Sequence, residues 1–207
     1  MYFCFFQVTG FLDSVNMPSS AKGHWMKQWC CMGVMALGCL AANAADDYKV
    51  KVQVTQQGHV FHTQASFQVP LNLCQSYRYL TDYDAATNIP GIVSSVTTRL
   101  DGHKVRVERL LQERILFFPV KMRMVLEVTE RPNQGTDFVQ ISGEAKTYKG
   151  AWRLEPDGAG TVFKYRTESE PDSFLPAAVI EYFIKNRLKS SFEAMAKTGA
   201  QRLKDAC

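Results

Sequence analysis

The sequence predicts an α+β fold, in which a curved antiparallel sheet of about seven strands wraps around one long C-terminal helix. Three observations lead to this prediction. Stretches of alternating apolar and polar residues fill the middle of the chain, as in half-buried strands. Helical spacing appears in two short segments after the first strand, and again in one long final segment. Consecutive strands form a meander with one covered face, and the long helix is the element that can cover it.

The first strand begins at Tyr48, from which apolar and polar residues alternate as far as Thr55. Gly58 marks either a turn or a bulge, and the chain then continues extended to Val69, before Pro70.

Two short helices are expected next. Apolar residues at helical spacing predict the first of them: Leu71, Cys74, Tyr77 and Leu80. Thr81 or Asp82 is expected to cap the second, which stops at Pro90-Gly91.

The remaining strands follow one another closely. Asp101-Gly102 is a hairpin signal between two of them. The clearest strand follows Pro119, where five apolar residues alternate with polar ones: Val120, Met122, Met124, Leu126 and Val128. The last hairpin pairs Lys149–Glu155 with Thr161–Glu168, and one of its faces carries large side chains: Trp152, Leu154, Phe163 and Tyr165.

The final helix is expected from Leu175 to about Lys204. One stripe of it is apolar and must be buried against the sheet: Ile180, Phe183, Ile184, Leu188 and Phe192.

Residues before the first strand resemble a secretory signal peptide. Residues 26–44 combine a positive start at Lys27, a short apolar segment and an Ala42-Asn43-Ala44 cleavage site. Residues 1–25 are interpreted as an over-extended N-terminus, and residues 45–207 as the mature domain. A periplasmic or secreted protein is therefore expected, and a lipoprotein anchored at Cys39 is the minor alternative.

The charge and the ionisable residues narrow the function. A net charge of +4 is too small to indicate nucleic-acid binding. His59, His62 and His103 do not have the spacing of a metal site and are interpreted as solvated. Asp82 and Asp84 are interpreted as residues at a helix start. No catalytic residue, metal or cofactor is predicted.

Arg109 is the charged residue most relevant to a binding site. It shares a strand face with Val105, Val107 and Leu111 by alternation, unless a bulge reverses the assignment. If that face points inward, the guanidinium enters the interior, where it could bind a ligand carboxylate, phosphate or carbonyl.

Three segments resemble one protein family: Leu80–Val96, Tyr148–Pro171 and Phe174–Met195. They are similar to the bacterial polyketide cyclase/dehydrase and coenzyme-Q-binding branch of the START-like (SRPBCC) superfamily. The resemblance implies the helix-grip fold, with a hydrophobic cavity between the sheet and the long helix. It also implies that the cavity wall contains these residues: Arg109, Met122, Met124, Leu126, Tyr148, Trp152, Phe163, Tyr165, Ile180, Phe183 and Ile184.

The family resemblance implies a function in binding or carrying a hydrophobic small molecule, such as a lipid, an isoprenoid quinone or a polyketide-like compound. Transient membrane contact is compatible with that role, and the oligomeric state is left open. The alternative is a cyclase/dehydrase-type enzyme in which Arg109 or Tyr165 polarises a bound carbonyl. In the helix-grip fold the short helices support the end of the long helix, so Cys74 and Cys207 are either disulfide-bonded or two free thiols.

Overall fold

A computed structural model describes residues 48–115, 118–158, 160–173, 175–202 and 207. These residues confirm the α+β prediction, because they form one curved antiparallel sheet of eight strands and a long C-terminal helix. The sheet does not close, and its order is β1-β2-β8-β7-β6-β5-β4-β3. In chain order the strands are β1 (Lys51–Gln57), β2 (Val60–Val69), β3 (Ile92–Arg99), β4 (Lys104–Ile115), β5 (Phe118–Arg131), β6 (Gly135–Gly143), β7 (Ala145–Asp157) and β8 (Gly160–Pro171).

Three helical segments accompany the sheet. They are α1 (Leu73–Leu80), a 3₁₀ helix (Asp84–Asn88) and α2 (Ala177–Gln201). Asn72 and Gln75 form a capping box at the start of α1. In the described part of the chain, no helix is both long and apolar enough to cross a membrane.

The start of the sheet differs from the expectation. Gly58 has a φ of +61° and lies in a tight turn, so the predicted first strand and its extension are two paired strands, β1 and β2. The short helices therefore follow the second strand, not the first.

The capping role expected for Thr81 or Asp82 is also wrong. Tyr83 precedes the 3₁₀ helix, and no side chain caps it. Asp82 instead binds Arg202 at 2.7 Å, beyond the end of α2. Asp84, in the first turn, accepts a hydrogen bond from the Thr97 hydroxyl of β3 at 2.7 Å. Asp82 therefore connects the segment after α1 to the end of α2, and Asp84 connects the 3₁₀ helix to β3.

Aromatic rings from β2, β7 and β8 form the centre of the core. Trp152 pairs with Tyr165, and Leu154 with Phe163, in the register of β7 and β8, so the four share one face as expected. Phe67 of β2 stacks on Phe163 with ring centroids 4.9 Å apart. Stacked and edge-on rings add to the area that each ring buries.

The C-terminal half of α2 packs into this aromatic core through Phe192. Its ring lies 5.5 Å from Phe67, 5.5 Å from Trp152 and 5.4 Å from Tyr165 between centroids. Ala196 and Gly199 continue the buried face of the helix. A Cβ atom at Gly199 would lie only 3.2 Å from the Tyr79 ring, so the helix approaches α1 closely here.

Helix α1 holds the same half of α2. The Tyr79 hydroxyl donates a hydrogen bond of 2.8 Å to the Met195 carbonyl. Burial raises the pKa of this hydroxyl to about 12, so it remains a donor at neutral pH. Cys74 of α1 forms a disulfide with Cys207, with Cα atoms 6.1 Å apart.

The predicted signal peptide, the alternative anchor Cys39 and residues 1–25 lie outside the described residues.

We expect the Cys207→Ser variant to lose about 2–5 kcal/mol of unfolding free energy, because the disulfide closes a long loop of the unfolded chain. Urea unfolding of the oxidised protein and the variant measures this difference. Adding a reductant should lower the midpoint of the parent protein to that of Cys207→Ser and leave the variant unchanged. Equal midpoints without reductant would contradict the prediction.

Candidate functional site

The strand register places the expected wall residues of β4 and β5 on the concave face of the sheet. β3 and β6 each carry a bulge, but the pairing of β4 with β5 is unbroken from Lys104 to Ile115. Val105 and Val107 are buried on the inner face, so alternation turns Arg109 inward as well. Inward residues of β5 lie opposite this row: Met122 pairs with Leu111, Met124 with Arg109, and Leu126 with Val107.

Four polar residues from four strands meet on this face, and we call them the polar cluster: Ser95, Arg109, Tyr148 and Tyr165. The Arg109 Nε donates to the Ser95 hydroxyl over 3.4 Å, a long hydrogen bond. The Tyr148 and Tyr165 hydroxyls are 2.7 Å apart and share a hydrogen bond. Among the described residues, Arg109 has no carboxylate in salt-bridge range.

The ionisable groups of the polar cluster are shifted by their surroundings. Burial lowers the pKa of Arg109, while nearby Tyr148, Tyr83 and Tyr165 act in the opposite direction. Burial also raises the pKa of Tyr148 and raises that of Tyr165 well above the usual range, and the contact between the hydroxyls adds to the second shift. At neutral pH the polar cluster is one guanidinium cation beside neutral hydroxyl donors.

Aromatic residues form the wall next to the polar cluster. The Phe138 ring of β6 lies 5.4 Å from the Tyr148 ring and 6.2 Å from the Tyr165 ring. Gly150 makes room for Phe138, because a Cβ atom there would lie 2.8 Å from the Phe138 ring and would collide with the Arg166 carbonyl oxygen. Trp152 and Phe163 continue the wall toward the aromatic core.

The N-terminal half of α2 lies over the other side of this region. Its Arg187 forms a salt bridge with Glu113, which is on the same face of β4 as Arg109. The two side chains are only 21% and 13% exposed. Phe183 and Ile184 are four and three residues before Arg187, so they share its helix face, and Ile180 lies one turn earlier.

This half of α2 is not packed into the core. Ile180, Phe183 and Ile184 are half-buried, whereas Phe192 and Ala196 are fully buried. Trp152 and Tyr165 contact Phe192. The close backbone approaches of α2 are to β1 and β2, at one side of the sheet. The C-terminal half of α2 is therefore the half that packs into the core, since it contains all three fully buried residues of the helix: Phe192, Ala196 and Gly199.

Several inward-pointing residues of the sheet are only partly covered by the rest of the protein. Arg109 and Tyr148 are deeply surrounded by protein, yet both keep accessible surface. Met122, Met124 and Trp152 are also only half-buried, although they point to the concave face. They lie on the concave face of the sheet, the face on which Arg187 of α2 contacts Glu113.

Two other features are separate from this region. A shallow depression of about 430 Å³ lies on the outer face of β5 to β8, beside the Lys149–Glu168 ion pair. Glu130, 8% exposed, binds Arg99 at 3.1 Å near Tyr83. No cluster of histidine, cysteine or carboxylate side chains suited to a metal occurs among the described residues.

The structure brings together most of the residues expected from the sequence and adds others. Ser95, Phe138 and Phe192 were not expected at the site. Phe192 was part of the predicted helix stripe, but periodicity did not reveal that it, and not Phe183, meets Trp152. Ser95 could not be found because its pairing with Arg109 depends on the register of β3, which contains a bulge.

Comparison with known proteins agrees with this architecture. A family model described as "Polyketide cyclase / dehydrase and lipid transport" matches residues 69–196. A search of curated proteins gives no significant match. Solved structures are similar to this chain at identities low enough that the likeness shows the fold alone.

Three of these structures illustrate the range. A STAR-related lipid transfer protein from Xanthomonas axonopodis has a TM-score of 0.62 and 14% identity, over 72% of this chain and 93% of that one. Zhui aromatase/cyclase from Streptomyces sp. R1128 has a TM-score of 0.59 and 12% identity, over 70% and 96% of the two chains. A protein from Thermus thermophilus has a TM-score of 0.58 and 16% identity, over 69% and 97%.

We expect Gly150→Ala to destabilise the protein by about 1–3 kcal/mol, because the added methyl group overpacks the contact between Phe138 and β8. Thermal unfolding measures the loss. Gly158→Ala is the matched control, since nothing lies within 4 Å of the position that its added methyl group would take. A Gly150→Ala variant as stable as Gly158→Ala would show that the wall is not tightly packed there.

Proposed function

The chain belongs to the polyketide cyclase/dehydrase and lipid transport family of START-like proteins, and we propose that it is an exported binder or carrier of a hydrophobic small molecule. The proposed ligand is a lipid, an isoprenoid quinone or a polyketide-like compound. The proposed site is the region between the concave face of the sheet and the N-terminal half of α2.

One observation supports this proposal above the others: half of α2 presents apolar side chains that the protein's own core does not use. Ile180, Phe183 and Ile184 are half-buried and face the sheet, where Met122 and Met124 are also incompletely covered. Apolar surface exposed to water inside a fold is unfavourable by about 25 cal/mol per Å², so an apolar ligand that covers it is stabilised. Methionine adapts its shape to such ligands.

Export is part of the proposal. The signal-peptide pattern of residues 26–44 supports it, as does the Cys74–Cys207 disulfide, since structural disulfides persist mainly in oxidising compartments. N-terminal sequencing of the protein from fractionated cells tests the idea: a mature chain that begins at Ala45 in the exported fraction is expected. An unprocessed chain in the cytosol would contradict export.

An enzyme of the cyclase/dehydrase type is the second candidate, and the polar cluster is the observation that favours it. The Arg109 cation and the tyrosine hydroxyls could polarise a carbonyl, because donors aimed at a developing oxyanion act strongly in a water-poor site. Turnover of a polyketide-like carbonyl substrate that Arg109→Ala abolishes would establish this alternative.

We expect Phe183→Ser to weaken binding of an apolar fluorescent probe by about tenfold or more, since burying a phenyl group is worth roughly 1.5–3 kcal/mol. Fluorescence titration gives the dissociation constants. Tyr182→Ser is the matched control, because this neighbouring aromatic side chain is 72% exposed. It should bind the probe as the parent protein does.

Native mass spectrometry with lipid extraction examines the protein purified from its own compartment, where a co-purifying apolar compound is expected. Finding no such compound, and no binding across a panel of lipids and quinones, would overturn the carrier proposal. Equal losses in Phe183→Ser and Tyr182→Ser would show that the ligand lies elsewhere.

A further inference from the structure

The polar cluster contains a cation whose charge the described protein does not neutralise. Arg109 lies inside the fold, and the charged or titratable neighbours that influence it are all tyrosines: Tyr83, Tyr148 and Tyr165. The interior carboxylates nearest along the strands are already used, because Glu113 pairs with Arg187 and Glu130 with Arg99. A buried charge is strongly unfavourable unless it is paired and hydrogen-bonded, so this position is costly for the protein alone.

Hydrogen-bond donors in the polar cluster also exceed the acceptors. A guanidinium has five N–H donors, and Arg109 uses one in the long bond to Ser95. The Tyr165 hydroxyl is hydrogen-bonded to both Tyr148 and Thr167, so when Tyr165 donates to Tyr148 the hydroxyl hydrogen of Tyr148 is the one left for a further oxygen. The cluster therefore offers several donors in one place, next to an apolar wall.

From this arrangement we propose that the ligand is an amphiphile with a single carboxylate at one end of an apolar body, and that Arg109 binds this carboxylate with the tyrosine pair beside it. This inference rests on the proposed binding function. The apolar body of the ligand would lie against Met122 and Met124 of β5 and against Phe183 of α2.

Charge and shape favour a carboxylate over other anions. One guanidinium is balanced by one negative charge, and its planar fork matches the two oxygens of a carboxylate. A phosphate monoester carries up to two charges at neutral pH. Near Arg109 the described chain offers no second free cation, since Arg187 and Arg99 are paired. A neutral ester or quinone would leave the charge of Arg109 unbalanced.

Competition against an apolar fluorescent probe tests the head group with matched compounds: hexadecanoic acid, its methyl ester and hexadecyl phosphate. The parent protein should bind the acid about tenfold to hundredfold more tightly than the ester, because hydrogen bonds to charged groups contribute more than neutral ones. Arg109→Met should lose this preference while it retains the affinity for the ester. Arg109→Lys keeps the charge without the fork and should retain part of the preference.

Arg106→Met is the matched control, because Arg106 is exposed on the opposite face of the same strand. It should keep the full preference for the acid. Thermal unfolding without ligand gives an independent readout: Arg109→Met should melt at the same temperature as the parent protein or higher, since it removes an unbalanced interior charge. A large loss of stability would show that Arg109 is a structural residue and would overturn the inference.

The outcomes separate this inference from the proposed function. Binding of acid and ester with equal affinity would refute the carboxylate site and leave the carrier function standing. Tighter binding of the phosphate than of the acid would also refute it, in favour of a phosphorylated ligand. Failure to bind any of the three compounds, or the probe, would count against the proposed function itself.

Discussion

The packing of the Phe192 ring against the rings of Phe67, Trp152 and Tyr165 is the interaction on which the rest of the molecule depends. It fixes α2 against the sheet, and removing such a buried ring typically costs about 3–5 kcal/mol. The Tyr79 hydroxyl of α1 bonds the same half of the helix, and the disulfide joins α1 to Cys207, beyond the end of α2. Because the attachments concentrate there, the N-terminal half of α2 can stand over the interior with fewer contacts. Regions with few packed contacts open most easily, which suits the side through which a ligand would enter.

The interior is therefore divided along the helix. Phe192 is fully buried between sheet and helix, whereas Phe183 is only half-buried. The Glu113–Arg187 salt bridge joins this part of α2 to β4, and both of its side chains are largely buried. Gly91 accommodates that pair, because a Cβ atom at this glycine would collide with both side chains. The pair satisfies two charges mutually, whereas Arg109, on the same face of β4, has no carboxylate in salt-bridge range among the described residues.

Sequence periodicity predicted this fold well where strands alternate without interruption. The faces of β5, and of the β7–β8 hairpin from Thr147 onward, follow from alternation alone, and the inward position of Arg109 depended only on β4 having no bulge. Sequence periodicity failed where a single extra residue changes the register of two paired strands. The bulges that add Val93 and Ile141 leave those apolar residues exposed, and the turn at Gly58 divides the first strand. Likewise, the apolar stripe of a helix predicts which helix residues face the sheet, but not which residues of the sheet each of them contacts. For that reason periodicity left open which residue of the stripe meets Trp152, and the structure shows that it is Phe192.

The protonation of the polar cluster bears on the choice between carrier and enzyme. Proton abstraction needs a group with a pKa near the working pH. Burial moves the pKa of Tyr148 and Tyr165 away from neutrality, and Arg109 remains a cation. All three are therefore donors at neutral pH, suited to holding a negatively charged or polarised oxygen and not to removing a proton. A site made only of donors stabilises a bound anion as well as a transition state. Since uniform stabilisation of ligand and transition state does not accelerate a reaction, this chemistry favours retention of the ligand.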